Sequence, residues 1–232
     1  MSTGRGALDD LLDRHPPLRA VGDRLTAAAE LLGGCWRQGH RVYVCGNGGS
    51  AADAEHIVGE LMKSMAQPRP LPPLERAALE DGAPPQFSDD AAYLAAHLEG
   101  SLPAVCLSSQ SSLLTAVAND QGADLVFAQQ VHGYGRPGDV LWALSTSGRS
   151  RNVVLAALAA RARAMPVLAM TGRGKGPLGE LAQVWVPVPA TDVGDVQELH
   201  RPVYHALCRA LEEAFFPAAG ETTDAGGADG GR

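Results

Sequence analysis

A short apolar run, Arg41-Val-Tyr-Val-Cys45, breaks into Gly46-Asn-Gly-Gly-Ser50 and then into a stretch of helical spacing that ends near Leu61. A continuous apolar run of this length, closed by a tight turn, reads as a parallel strand buried on both faces. The same pattern recurs, with strands expected at Arg41 to Cys45, Ala104 to Ser108, Val140 to Leu144, Val167 to Met170 and Val184 to Val188, and helices between them. Alternation of this kind predicts an α/β fold, a doubly wound parallel five-stranded sheet flanked by helices, with ligands at the C-terminal ends of the strands. Helices are also expected at Leu8 to Leu12 and Leu18 to Arg37, packed outside the sheet and against another subunit, and at Val196 to Phe215.

Two of the strand-to-helix turns carry chemistry. Gly46, Gly48 and Gly49 let the backbone turn tightly and bring amide groups against an anion, while Ser50 and Asp53 suit the first turn of the following helix. The glycine spacing does not fit the dinucleotide fingerprint, and no Gly-Lys-Ser/Thr follows, which argues against dinucleotide and nucleoside triphosphate binding. His56 and Glu60 are four apart, so they share one helix face, directed back toward the anion site. A pair at that spacing is more often a surface pair than a site; its company singles it out. The second turn, Ser145-Thr-Ser-Gly-Arg-Ser150, offers hydroxyls and helix N-terminal amides to a phosphate, the plainer alternative being a helix start capped by Ser150.

GNGGSAADAEH together with STSGRS resembles the sugar isomerase (SIS) domain, and specifically the sedoheptulose 7-phosphate isomerases, also called phosphoheptose isomerases. The resemblance runs from about Leu18 to Phe216 and includes Ala118-Asn-Asp120, Thr171-Gly172 and the segment from Val196 to His205. It implies that Asn47, Gly48, Gly49, Ser50, Ser145, Thr146, Ser147 and Ser150 hold the phosphate and sugar hydroxyls, and that Asp120 and Gln197 contact the substrate. It further implies a zinc ion on His56, Glu60, Gln197 and His205, with Glu60 and His205 catalytic, and a homo-oligomer, a tetramer or at least a dimer, with sites between subunits.

The chemistry of an aldose–ketose conversion accounts for such a set. A proton moves between C1 and C2 through an enediol, so carbon beside a carbonyl must be deprotonated and hydroxyl protons shuttled. Glu60 can be the base and His205 an acid or base near neutrality, while zinc polarises the carbonyl. Gln197 and His205, eight apart, would lie roughly 12 Å apart along one helix and about 80° around it. Either one of them comes from a neighbouring subunit or the helix begins after Gln197; His200 is the rival ligand on spacing alone. The alternative function is a non-catalytic SIS protein that senses sugar phosphates or associates with a replication initiator, and a sugar-phosphate etherase is a third reading. Retention of Glu60, His205 and both partner ligands favours the isomerase.

With 232 residues, a net charge of −7 and a pI near 5.4, the chain fits one enzyme domain and lends no support to a nucleic-acid or membrane partner. Cys35, Cys45, Cys106 and Cys208 show no CxxC spacing and read as reduced thiols; with no signal peptide or membrane-length apolar run, the cytoplasm is the expected compartment. Residues 1–17 are expected to be a helical extension, 18–216 the SIS domain, and 217–232 a disordered tail. Residues 66–102 form an insertion relative to compact family members, proline-rich from Pro68 to Pro85 and then helical from Ser88, its expected N-cap, to Leu98. Such an excursion either lies idle on the surface or covers the sugar's far end. Gly194 stands where compact members carry an acid, leaving Asp192 or Asp195 as substitutes.

Overall fold

The structure, a computed structural model, describes residues 5–217; the tail expected beyond Pro217 lies outside them. Five strands, β1 (Val42–Cys45), β2 (Ala104–Cys106), β3 (Val140–Leu144), β4 (Val167–Thr171) and β5 (Val184–Pro187), form one parallel sheet in the order β2-β1-β3-β4-β5. The strands are apolar throughout because both faces are covered. Val42, Val44, Trp142 and Leu144 face one core, and Tyr43, Cys45, Leu141 and Ala143 face the other.

The first core is closed by α1 (Arg5–Arg14), α2 (Gly22–Arg37), α3 (Gly49–Met62) and α10 (Val193–Phe215), through Leu11, Leu25, Leu32, Ile57, Tyr204 and Leu207. The second is closed by α6 (Ser111–Asp120), α7 (Val126–Tyr134), α8 (Arg151–Ala162) and α9 (Gly176–Leu181). The chain leaves β1 toward β2 and returns on the other side as β3, so the connections after β1 and β3 diverge. That divergence opens a crevice at the C-terminal ends of these two neighbours, where ligands of open α/β sheets bind. Both turns singled out in the sequence border it. Leu8 and Leu11 of α1 are buried within this chain, beside α10, so part of the face expected to await another subunit is already covered.

The insertion departs from its sequence reading in two respects. Its proline-rich part contains a helix, α4 (Pro73–Asp81), because Pro72 and Pro73 fall at the cap and first helical position, where a missing N–H costs nothing. Ser88 is the first residue of α5 (Ser88–His97) rather than its N-cap, which is Phe87 with no side-chain bond. The neck is closed by a bridge between Pro70 and Glu99, by the Ser64 amide donating to Glu99 Oε2 (2.8 Å) and by the Gly100 amide donating to the Arg69 carbonyl (2.7 Å).

Candidate active site

Local sequence builds the first of the two turns. Gly48 adopts φ 54° and ψ −121°, a left-handed-side conformation closed to other residues at low cost, and this reverses the chain so that α3 starts at Gly49. Asn47 then reaches across the crevice to Asn152 at the start of α8, the two amides exchanging bonds of 2.8 and 2.9 Å. The turn after β1 and the turn after β3 are thereby tied together.

In the second turn the buried Ser145 hydroxyl lies 3.0 Å from that of Ser150, the Arg149 amide donates to Ser147 Oγ (3.2 Å), and the Gly172 amide braces the Thr146 carbonyl (2.9 Å). Ser150 occupies the N-cap of α8 but makes no side-chain capping bond. Its hydroxyl is turned into the serine cluster instead, which removes the plain capping explanation for this motif. Ser50 is buried at the head of α3, whereas Asn47 and Ser147 are exposed. Asp120 ends α6, exposed, and accepts from its neighbour Asn119 (2.8 Å); no hydrogen bond joins it to either turn among the described residues.

α3 and α10 run side by side in the same direction, and this sorts the remaining candidates. His56, Glu60 and His205 come together, with ligand-capable atoms all within 4.8 Å of one another. His56 Nε2 is 2.9 Å from Glu60 Oε1, and the His56 and His205 rings meet edge to face with centroids 4.9 Å apart. The His205 pKa is pushed down by desolvation and by the nearby His56 and Arg201, with Glu60 opposing. Gln197 stands at the other end of the helix pair: it lies against Gly49, where any added Cβ would collide with its amide. α10 begins at Val193, so the option of a helix starting after Gln197 is removed. His200, the rival ligand, is fully buried in the core, its pKa pushed down to about 4 by desolvation. Asp192 is spent as the N-cap of α10, accepting from the amides of Gly194 (2.8 Å) and Asp195 (3.4 Å). Between the heads of α3 and α10 lies a groove of about 490 Å3 lined by Gly49, Asp53, Gln197 and Arg201 among others.

The SIS domain profile matches residues 18–96 and 90–172. The phosphoheptose isomerase of Rhodospirillum rubrum is 40% identical over 198 residues, covering 84% of this chain and 89% of that protein. This chain belongs to the phosphoheptose isomerase family. The family's protein from Mycobacterium tuberculosis is 41% identical over 198 residues, covering 85% and 82% of the two chains. Among solved structures, the phosphoheptose isomerase GmhA of Neisseria gonorrhoeae superposes with a TM-score of 0.67 at 32% identity, covering 88% of this chain and 94% of that one.

Sequence reasoning missed several residues that border this candidate site. Asn152 locks the two turns together, and nothing in its surroundings marks it beyond its place at a helix start. Arg201 enters the groove four residues before His205. Tyr204 lies behind the triad, fully buried, with its hydroxyl 3.0 Å from His56 Nδ1 and 3.3 Å from Asp53 Oδ1. Only the position of Asp53 three residues before His56, on the same helix face, hinted at such a link.

Proposed function

We propose that this protein interconverts sedoheptulose 7-phosphate and a D-glycero-D-manno-heptose 7-phosphate-type aldose. The observation that carries this reading is the meeting of Glu60 and His205 beside His56. The phosphate is assigned to the cradle of Asn47, Gly48, Gly49, Ser50, Ser145, Thr146, Ser147 and Ser150, with Asp120 and Gln197 holding sugar hydroxyls. Glu60 takes the proton from C1 of the ketose and returns one to C2, while His205 passes the hydroxyl proton from O1 to O2. The C1 proton is returned at C2 and the O1 proton ends on O2, so C1 is oxidised as C2 is reduced within one molecule and no external oxidant or reductant enters.

Two imidazoles and a carboxylate are ordinary zinc donors, so the residues present fit a zinc ion on His56, Glu60 and His205, with Glu60 able to act as the base only while the ion does not hold it firmly. When bound, it supplies a Lewis acid for the carbonyl and for charge developing on the enediolate. Gln197 is the remaining ligand on this reading, delivered by a neighbouring subunit. Glu60 stands eleven positions after Gly49 on α3, roughly 16 Å along the axis, which favours a homo-oligomer, a tetramer on this reading, that joins one protomer's cradle to another's triad. The insertion, whose neck starts beside the end of α3, is assigned to covering the sugar's far end. A cytoplasmic location goes with four free, buried cysteines; no described helix is long and apolar enough to cross a membrane.

Incubation of the purified protein with sedoheptulose 7-phosphate, with and without a chelator, tests the reading: an aldose phosphate should form and chelation should suppress it. Absence of aldose product from several ketose phosphates, with zinc bound, would transfer the assignment to a sugar-phosphate sensor. Normal turnover by Glu60→Gln with zinc retained would remove Glu60 as the base.

A further inference from the structure

We propose that the cavity at the N-terminal ends of β1 and β3 is a second anion site, at the opposite edge of the sheet from the candidate active site, and that it takes a small ligand with two or more phosphate charges on Arg41, Arg136 and Arg163. The cavity has a volume of about 680 Å3 and is bounded by the residues entering β1, the loop before β3, the end of α7 and Arg163 just after α8. Tyr43 and Val105, register partners on β1 and β2, also line it. One buried carboxylate places two of the arginines. Asp139, 3% exposed, accepts the backbone amide of Arg41 on Oδ1 (2.9 Å) and that of Arg136 on Oδ2 (2.8 Å), so both residues are held at one rim. Arg163 is fixed separately: its Nε and Nη2 both donate to the Gly135 carbonyl, at 3.1 and 2.7 Å.

Three guanidinium groups therefore share a cavity whose one carboxylate, that of Asp139, already accepts two amides. Among the described residues none of the three is ion-paired, whereas Arg14, Arg19, Arg69, Arg151 and Arg209 each pair with an acid. In a chain of net charge −7 this gathering concentrates positive potential in one concave spot, the arrangement that draws in a multiply charged anion. Arg41 and Arg136 converge on the Tyr43 hydroxyl: burial, then the Asp139 charge, raises its pKa, and the two guanidinium groups pull it back. That hydroxyl donates to the Tyr134 carbonyl (3.2 Å) and marks the inner wall. Guanidinium forks hold phosphate through paired hydrogen bonds and keep their charge at any working pH. The volume is more than a single phosphate fills and lies within the range of small-molecule sites, about 300–1,000 Å3. Tyr134, 45% exposed, adds an aromatic face beside the basic groups. The inference does not depend on the isomerase reading, since none of the three arginines belongs to either turn or to the triad.

The test uses the whole protein and three probes: inorganic pyrophosphate, fructose 1,6-bisphosphate and ATP. Phenylglyoxal, which modifies accessible arginines, is applied with and without each anion, and the modified peptides are read by mass spectrometry. At least one of the anions should protect Arg41 and Arg136, while the exposed Arg76 of α4 reacts as before. Which of them protects best distinguishes a nucleotide from a sugar bisphosphate as the source of the phosphates. The double variant Arg41→Gln/Arg136→Gln should fold normally by circular dichroism and need roughly 10-fold or more of that anion to protect Arg163. Ser147→Ala, in the turn after β3, should leave the protection of Arg41 and Arg136 unchanged. No protection by any of the three anions, equal protection of Arg76, or loss of protection in Ser147→Ala would overturn the proposal. An unchanged protection curve for Arg163 in the double variant would do the same, and the measurement on the unmodified protein decides even if that variant fails to fold.

Discussion

The guanidinium of Arg69 lies fully buried against the carboxylate of Glu212, Nε to Oε1 2.8 Å, where the insertion begins and α10 ends. Arg69 also donates to the carbonyls of Leu61 (2.8 Å) and Glu60 (2.9 Å), satisfying the open C-terminal end of α3. Glu212 accepts the amides of Met65 and Ala66, both at 2.8 Å. Breaking one partner of such a pair strands a buried charge, so Arg69→Ala or Glu212→Ala should each lower unfolding free energy by about 3–5 kcal/mol. Urea titration checks this. The double variant should lose markedly less than the two single losses added, because neither charge is then left alone; strict additivity would mean the pair does not act as a unit.

His200 should make the fold sensitive to mild acid. Desolvation holds its folded pKa near 4, against an ordinary value of 6.5, and the Thr171 backbone only partly opposes it. Between those pH values the unfolded chain takes up a proton that the folded chain refuses. The contribution is therefore complete above pH 6.5 and is lost as pH falls toward 4, by roughly 3 kcal/mol. Thermal melts from pH 7 to 4 should show that slope, and His200→Met should flatten it. A variant with an undiminished slope would assign the acid sensitivity elsewhere.

Much of this was legible in the chain. Strands such as Val140 to Leu144 declare themselves because a strand covered on both faces has no room for polar residues, and the turns after β1 and β3 declare themselves through glycine and serine. Glu60 and His205 were brought together by family resemblance, and the structure joins them because α3 and α10 run in parallel. What escaped was set by long-range packing. The Arg69–Glu212 pair spans 143 residues and follows no local spacing. The helix at Pro73–Asp81 escaped because prolines that break a helix interior are harmless in its first turn. Tyr204 escaped because an apolar-face tyrosine at helical spacing reads as core, which it also is.

In metal-free protein His205 should titrate below its ordinary pKa of 6.5, for desolvation, then the charges of His56 and Arg201, disfavour its protonated form. Its neutral form therefore persists to lower pH than that of a free histidine. Arg201→Gln removes one of the lowering influences and should move the midpoint upward. Proton NMR of the His205 ring across pH 4 to 8 reads both. A midpoint above 6.5, or no response to Arg201→Gln, would contradict the electrostatics described for this groove.

Gly49 couples the cradle to Gln197, since a methyl group there would overlap the Gln197 amide. The obstruction is the far end of a flexible side chain, so Gly49→Ala should displace Gln197 rather than unfold the protein. Stability should change by about 1 kcal/mol or less, within the range for ordinary substitutions. Turnover should suffer more: a hydrogen bond from half-buried Gln197 to the substrate is worth about 0.5–1.5 kcal/mol, so kcat/KM should fall by up to about 10-fold. Gln197→Ala should impair the enzyme to a similar degree, and adding Gly49→Ala to it should cost little further, because the amide that the methyl would displace is gone. Independent, multiplying losses in the double variant would separate Gly49 from Gln197 and leave the glycine serving the turn alone.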